Sequence, residues 1–210
     1  MSTSRITLPP QGRPHAEIIA EMNQLRAQDV QWQAGRVWSL VFSAGDEVGA
    51  LLKDAYTLFF AENGLNPTAF PSLRTFETEV LAMTAELLGG DEQAIGNLTS
   101  GGTESILMAV KTARDWARAN RPRVRRPEIV LPSTAHPAFD KAAHYFDVTP
   151  IRVPVGPDFR ANIAATRKAI NKRTILIVGS APSYPHGVLD PIVEPAQLAR
   201  KAGILCHVDA

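Results

Sequence analysis

From residue 94 to the end, the chain alternates short apolar runs with amphipathic segments of helical period. Apolar runs of this length, separated by helices, are typical of βαβ units, in which crossover helices join parallel strands. The pattern therefore predicts an α/β fold with a mainly parallel sheet flanked by helices. The predicted strands are 94–98, 128–131, 149–153, 175–178 and 204–208, and the predicted helices are 103–119, 137–146, 160–171 and 195–202.

Residues 1–90 carry a different pattern, which predicts helices at 14–33, 45–62 and 72–88. Gly89 and Gly90 follow the third helix and form a typical helix stop. A turn-rich segment at 63–71 separates the second helix from the third. We therefore expect two parts, an N-terminal helical segment over 1–90 and an α/β domain over 91–210.

Gly101 and Gly102 lie between the first predicted strand and an amphipathic helix. Glycines at such a junction let the backbone approach an anion, and the free N–H groups and the dipole of the first helical turn then point at it. Thr103 adds a hydroxyl donor. The junction is therefore a candidate phosphate site, and a strand-to-helix turn without a ligand is an equally open interpretation.

Two better-known phosphate loops do not fit this junction. Gly96, Gly101 and Thr103 have the spacing of a Walker A loop, but Gly102 stands in the place of its lysine. No Gly-x-Gly-x-x-Gly follows a predicted strand, so the Rossmann fingerprint is absent as well. A nucleotide-binding module is therefore disfavoured.

Composition narrows the class of protein. The 210 residues are 45% hydrophobic and 20% charged, with a formal net charge of +1. This balance of charges does not indicate a nucleic-acid-binding protein. We interpret the basic run from Arg121 to Arg126 as a solvated loop. The sequence has no apolar run of about 20 residues to span a bilayer, and its single Cys206 fits a reducing compartment. We expect a soluble cytoplasmic protein.

Three further polar residues fall at the ends of predicted strands. His136 lies in the loop after 128–131, and taken alone it can be an ordinary loop residue. Asp209 ends an apolar strand, where a carboxylate needs a cationic or hydrogen-bonding partner, although a helix cap is the alternative. His207 lies two residues earlier on the same face of that strand, as either a cavity residue or a core histidine.

Five segments, in this order, resemble the pyridoxal-phosphate enzymes of the aspartate-aminotransferase fold, in the group that joins amino-acid decarboxylases with sphingosine-1-phosphate lyase. The resemblance covers nearly the whole chain. The first segment, with Glu77 and Glu79 on the following helix, matches the lyase branch better than the decarboxylases. The segments are NPTAFPSLR at 66–74, TSGGTES at 99–105, AHPAFDKAA at 135–143, GSAPSYPHG at 179–187 and HVDA at 207–210.

The resemblance implies a fold type I large domain over 91–210, cut before its remaining strands and the C-terminal small domain, with pyridoxal phosphate as cofactor. The expected catalytic residues are His136, which would stack on the pyridine ring, and Asp209, which would keep the ring nitrogen protonated. No metal is expected. The expected cofactor-binding residues are Gly101, Gly102, Thr103, His136, Ser180, His207 and Asp209.

On the substrate side, the resemblance implies His186 and the segment that holds Asn63 and Asn66. The lyase branch cleaves a carbon–carbon bond of a phosphorylated amino substrate and releases an aldehyde, whereas the decarboxylases release carbon dioxide. The residues that hold the cofactor ring do not separate these outcomes. Asn66 stands where the lyases carry a histidine, and Phe42 where they carry a tyrosine, so the substrate contacts differ from theirs.

In this family the lysine that forms the Schiff base follows the strand-end aspartate by a few tens of residues, whereas only Ala210 follows Asp209 here. We therefore expect either a fragment of an enzyme or a non-catalytic remnant that still binds the cofactor. On its own, the 210-residue chain is expected to be inactive and poorly soluble. Family members are dimers with active sites at the subunit boundary, so the complete protein is expected to be a homodimer.

Overall fold

The computed structural model describes residues 7–37 and 41–210. Its contacts divide the chain into two compact units, one ending at Phe76 and the other running from Glu77 to Ala210. The domain boundary that the sequence pattern suggests, after residue 90, stays a prediction about the complete protein. No helix in the described ranges is long and apolar enough to cross a membrane.

Helices make up the regular structure at the start of the chain, as predicted, but they are shorter than the pattern indicates. They are α1, His15–Arg26; a short 3-10 helix, Trp32–Ala34; α2, Asp46–Leu58; and α3, Pro71–Leu87, which crosses the boundary between the units. None of α1, α2 and α3 contains a buried residue. Large apolar side chains such as Leu25 and Leu52 are therefore exposed on them.

The second unit is built on a parallel sheet, which confirms the predicted fold class. Its strands are β1, Glu128–Pro132; β2, Thr149–Val153; β3, Thr174–Ser180; and β4, Leu205–Asp209. They lie in the order β2-β1-β3-β4, and each neighbouring pair is parallel. Every residue of β1 and β3 is buried, which explains why these two segments are almost continuously apolar.

Helices cover both faces of this sheet. They are α4, Gly102–Asn120; α5, Ala138–Phe146; α6, Ile163–Ala169; and α7, Val193–Ala202. Helices α4 and α5 pack on each other, and their apolar residues share one core with Leu176 and Val178 of β3. Ile177, between those two, packs instead with Ala199 of α7. Because alternate strand residues face opposite ways, α5 and α7 lie on opposite faces of the sheet.

The strand order reverses between β1 and β3. From β1 the chain passes through α5 to β2 on one side, and from β3 it passes through α7 to β4 on the other. The segments that leave the carboxyl ends of β1 and β3 therefore diverge to opposite faces. In open α/β sheets such a reversal leaves a crevice between the two strand ends, which is where these folds bind ligands.

The predicted strand at 94–98 is wrong, because residues 94–98 form no strand in the structure. Each ladder of the described sheet joins other strands, so this segment pairs with none of them. It lies against α3 instead, where a Cβ on Gly96 would come within 2.8 Å of the Leu81 side chain. The predicted helix at 160–171 is also shorter, since the Asn162 side chain caps α6 by accepting from the N–H of Ala165.

Phe139 of α5 is fully buried in the larger core, so its truncation tests this packing. Phe139→Ala should lower the free energy of unfolding of the complete protein by about 3 to 5 kcal/mol, through lost burial and the cavity left behind. Phe159→Ala is the matched control, because Phe159 is 51% exposed. Equilibrium urea unfolding measures both. Equal losses in the two variants would show that α5 does not pack as described.

Candidate functional site

A cavity of about 500 Å³ lies in the crevice at the strand reversal. It is lined by residues that follow β1, by residues that follow β3, and by the end of β4. Three predicted site residues, His136, Ser180 and Asp209, are therefore brought together from distant parts of the chain. The lining residues are Thr134, His136, Pro137, Ser180, Pro182, Tyr184, Pro185, Asp209 and Ala210.

Ser180 and Asp209 are register partners at the carboxyl ends of β3 and β4. The N–H of Ala181 donates to the carbonyl of Asp209 at 2.8 Å, which continues the ladder to the edge of the sheet. On its other side, the N–H of Ser180 donates to the buried carboxylate of Asp190 at 2.8 Å. The second oxygen of Asp190 accepts from the N–H of Ala161 at 2.7 Å, so this carboxylate anchors the end of β3.

His136 is an exposed residue whose ring is held by a local hydrogen bond. Its Nδ1 accepts from the N–H of Ala138 at 3.1 Å. Because an acceptor nitrogen carries no proton, the proton of the neutral imidazole lies on Nε2. The loop interpretation of His136 is therefore correct for its backbone, while the ring is a fixed, flat part of the cavity wall.

Thr134 is a cavity residue that the sequence pattern does not single out. Its hydroxyl oxygen is buried and has no hydrogen-bond partner among the described residues. A buried hydroxyl without a partner costs about 1 to 3 kcal/mol unless a bound group satisfies it. Its position two residues before His136 is the only available signal. The wall of the cavity therefore contains an unmet polar group.

Arg152 of β2 holds the loop that carries Thr134 and His136. Its Nη1 donates to the carbonyls of Pro132 at 3.2 Å and Ser133 at 3.1 Å. Its Nη2 and Nε donate to the carboxylate of Asp140, at 2.7 and 3.3 Å. One guanidinium thus joins β2, the loop after β1 and the start of α5. An arginine in an otherwise uncharged strand is the sequence signal for this role, although its partners cannot be deduced from it.

The glycine junction lies at the start of α4. This helix ends where the loop into β1 begins, at the amino edge of the sheet, so its first turn points toward the carboxyl edge. Gly101 has φ 156° and ψ 173°, a region that is essentially restricted to glycine. A Cβ on Gly101 or Gly102 would meet nothing within 4 Å, so the space beside this turn is open.

Neighbouring side chains order this junction without covering it. The Glu104 carboxylate accepts from the N–H of Ser100 at 2.6 Å, and its hydrogen bonding with Ser100 lowers the pKa of Glu104. The hydroxyls of Thr99 and Ser105 lie 2.7 Å apart. Gly101 at the N-cap has no side chain to cap the helix, and no hydrogen bond from another described side chain caps it, so the first-turn N–H groups stay available to an anion. The phosphate role of Gly101, Gly102 and Thr103, none of which lines the cavity, stays a prediction.

Two predicted histidines lie outside the cavity lining. The ring of His207 contacts Phe139 edge-on at 5.9 Å, which favours the interpretation as a core histidine. Burial lowers the pKa of His207, and the nearby charge of Asp209 opposes part of that shift. His186 stacks on Phe159 at 4.4 Å instead of facing the cavity. Their roles toward a cofactor or substrate stay predictions.

Asn63 and Asn66 lie in the first unit, where both side chains stabilise turns. The Oδ1 atom of Asn63 accepts from the N–H of Leu65 at 3.1 Å. The Oδ1 atom of Asn66 accepts from the N–H groups of Thr68 and Ala69, at 3.0 and 3.2 Å. Both asparagines therefore shape the turn-rich segment, and their place on the substrate side stays a prediction.

Known proteins are similar to this chain in sequence and in fold. The sphingosine-1-phosphate lyase of Dictyostelium discoideum is 46% identical over 206 residues, which cover 97% of this chain and 38% of the relative. A probable L-aspartate decarboxylase of Pyrococcus furiosus is 32% identical over 202 residues, covering 96% of this chain and 52% of the relative. The chain thus spans about a third to a half of the length of these curated relatives.

The solved structure of the Burkholderia pseudomallei sphingosine-1-phosphate lyase superposes with a TM-score of 0.90 at 34% identity. The match covers 98% of this chain and 49% of that one. The pyridoxal-dependent decarboxylase conserved domain matches residues 3–210. The predicted resemblance, its fold and its pyridoxal phosphate cofactor are confirmed, and the chain belongs to the pyridoxal-dependent decarboxylase family.

Proposed function

We propose that the complete protein is a pyridoxal-phosphate-dependent carbon–carbon lyase that cleaves an amino substrate and releases an aldehyde, like the sphingosine-1-phosphate lyases. The observation that carries the proposal is the convergence of His136, Ser180 and Asp209 on one cavity at the strand reversal. The 46% identity to the Dictyostelium lyase favours this branch of the family.

The residues at this edge of the sheet fit the cofactor. The open first turn of α4, with Gly101, Gly102 and Thr103, suits a phosphate group. The flat ring of His136 suits an aromatic ring. When bound, the cofactor supplies an electron sink for the bond that breaks beside the substrate nitrogen.

Asp209 is suited to hold a proton on the ring nitrogen. It is half-buried and takes part in none of the ion pairs that the described residues form. A carboxylate in such a place favours the protonated form of a nitrogen base next to it. Burial lowers the pKa of His207, which disfavours a cationic neighbour that would compete for Asp209.

Two alternatives use the same residues. One is an amino-acid decarboxylase, which the 32% identity to the Pyrococcus protein supports. The other is a binding protein that keeps the cofactor but forms no covalent bond to it. Only the lyase proposal includes a phosphorylated amino substrate. Because Asn66 stands in place of the lyase histidine, the phosphate group of the substrate is the first part of the proposal to test.

Product analysis on the complete protein, loaded with pyridoxal phosphate, separates these alternatives. Incubated with sphingosine-1-phosphate, the protein should release a long-chain aldehyde, detected as its hydrazone by mass spectrometry. Release of carbon dioxide from L-aspartate, without any aldehyde, would contradict the lyase proposal and identify a decarboxylase. If neither product forms and borohydride traps no cofactor on the protein, the binding-protein alternative is correct.

We also propose that the complete protein is a cytoplasmic homodimer. Support for association comes from α1, α2 and α3, which contain no buried residue and expose side chains such as Met22, Leu25 and Leu52. Apolar surface of this extent is typical of interfaces. Light scattering on the complete protein should give twice the mass of one chain. A monomer would contradict the homodimer, and recovery in the membrane fraction of lysed cells would contradict the location.

Arg152 should control cofactor affinity through the loop after β1. Arg152→Lys keeps the charge but loses the planar fork that bonds to both the loop carbonyls and Asp140. The dissociation constant for pyridoxal phosphate should rise about tenfold, since at least one charge-assisted hydrogen bond is lost. Absorbance titration of the complete protein measures it. Arg167→Lys, on the exposed face of α6, is the control, and equal affinities in the two variants would refute the positioning role.

A further inference from the structure

A second cavity, of about 470 Å³, lies at the amino edge of the sheet. It is formed by the loop that leads from α4 into β1 and the loop that leads from α6 into β3. Since β3 has seven residues, this edge is about 20 Å from the cavity at the strand reversal. The residues that line it are Arg123, Val124, Arg125, Arg126, Lys172 and Arg173.

Hydrogen bonds between the two loops give this cavity a fixed frame. The guanidinium of Arg121 donates to the carbonyl of Thr174 at 2.6 Å and to that of Lys172 at 3.2 Å. The side chain of Asn171 donates to the buried carboxylate of Glu128 at 2.7 Å. The N–H of Glu128 in turn donates to the carbonyl of Arg173 at 2.9 Å. The cationic residues therefore project from a backbone that needs no ordering when a ligand binds.

The charge around this cavity is unbalanced. Arg173 pairs with Glu128, whereas Arg123, Arg125, Arg126 and Lys172 form no ion pair with any described residue. A chain whose net charge is only +1 thus gathers four exposed cations at the rim of one concave surface, whose wall is mainly apolar. Such a concentration of like charge is unfavourable by itself and attracts anions.

The identity of these cations indicates which anion would fit. Three of the four are arginines, whose planar guanidinium donates two parallel hydrogen bonds to a phosphate or carboxylate. Four cations exceed the charge of one phosphate group, which carries about two negative charges at neutral pH. A ligand with more than one phosphate group balances them better, and the volume of the cavity lies in the range that holds small molecules.

We propose that the cationic rim of this cavity binds an anion that carries at least two phosphate groups, at a site separate from the pyridoxal phosphate. The anion is either a soluble phosphorylated molecule or the head group of a phosphorylated lipid, since both present the same chemistry. The basic run from Arg121 to Arg126 is then part of a binding site, and the interpretation as a solvated loop describes only its exposure.

Calorimetric titration of the complete protein with inorganic tripolyphosphate tests the proposal. Pyridoxal phosphate is bound beforehand, so that the cofactor phosphate site is filled. We expect saturable binding that weakens as salt is added. The double variant Arg123→Ala/Arg126→Ala should weaken binding about 100-fold, at about tenfold for each lost charge-assisted contact. Arg121 and Arg173 are left intact because they hold the loops.

The matched control is Lys53→Ala/Arg160→Ala, which removes the same charge from residues outside the cavity and should bind as the wild type does. Binding that is absent from the wild type, or equal in all three proteins, would overturn the proposal. Flotation with phosphatidylcholine vesicles that contain a phosphoinositide then distinguishes the sources. Retention of the wild type but not of the arginine variant identifies a lipid head group. Binding of tripolyphosphate without retention identifies a soluble anion.

Discussion

The burial of β1 and β3 on both faces is the constraint on which the second unit depends. Two strands with apolar side chains on both faces must be covered by helices on both sides of the sheet. The crossover helices α5 and α7 provide this cover, one on each side. Polar side chains are then confined to the ends of the strands. Because α5 and α7 leave in opposite directions, the carboxyl ends open into a crevice, and reactive groups collect there.

The two edges of this sheet carry opposite chemistry. At the carboxyl edge, the carboxylates of Asp190 and Asp209 and the unpartnered hydroxyl of Thr134 surround or support the cavity. At the amino edge, four cations that form no ion pair with any described residue lie at the rim of another cavity, and Arg121 joins its two loops. A cofactor with a protonated ring nitrogen suits the first edge, and a polyanion suits the second.

The sequence is sufficient to predict a position where that position depends on one strand and its end. The apolar runs of β1 and β3 are readable because both faces are buried, and His136 and Asp209 are readable because they fall at strand ends that meet at one edge. Ser180 was expected only from the family resemblance. It failed at 94–98, because a strand exists only when another backbone pairs with it.

Hydrogen-bond partners that are distant in sequence also could not be predicted. Asp190 bonds to the N–H of Ala161 across 29 positions, and Arg152 bonds to the carbonyl of Pro132 across 20. Neither residue has a local pattern that names its partner. Thr134 differs, since its hydroxyl lacks a partner among the described residues, and only the folded structure shows that. These side chains lie in or support the cavity wall, so the sequence indicated which residues meet at the cavity and not how they are kept in place.

The most direct test of this account is the ¹⁵N NMR signal of pyridoxal phosphate, labelled at the ring nitrogen and bound to the complete protein at neutral pH. With Asp209 beside that nitrogen, the account predicts the chemical shift of a protonated pyridine, and Asp209→Asn should move it to the unprotonated value. An unprotonated nitrogen in the wild type would show that the cofactor does not lie against the end of β4.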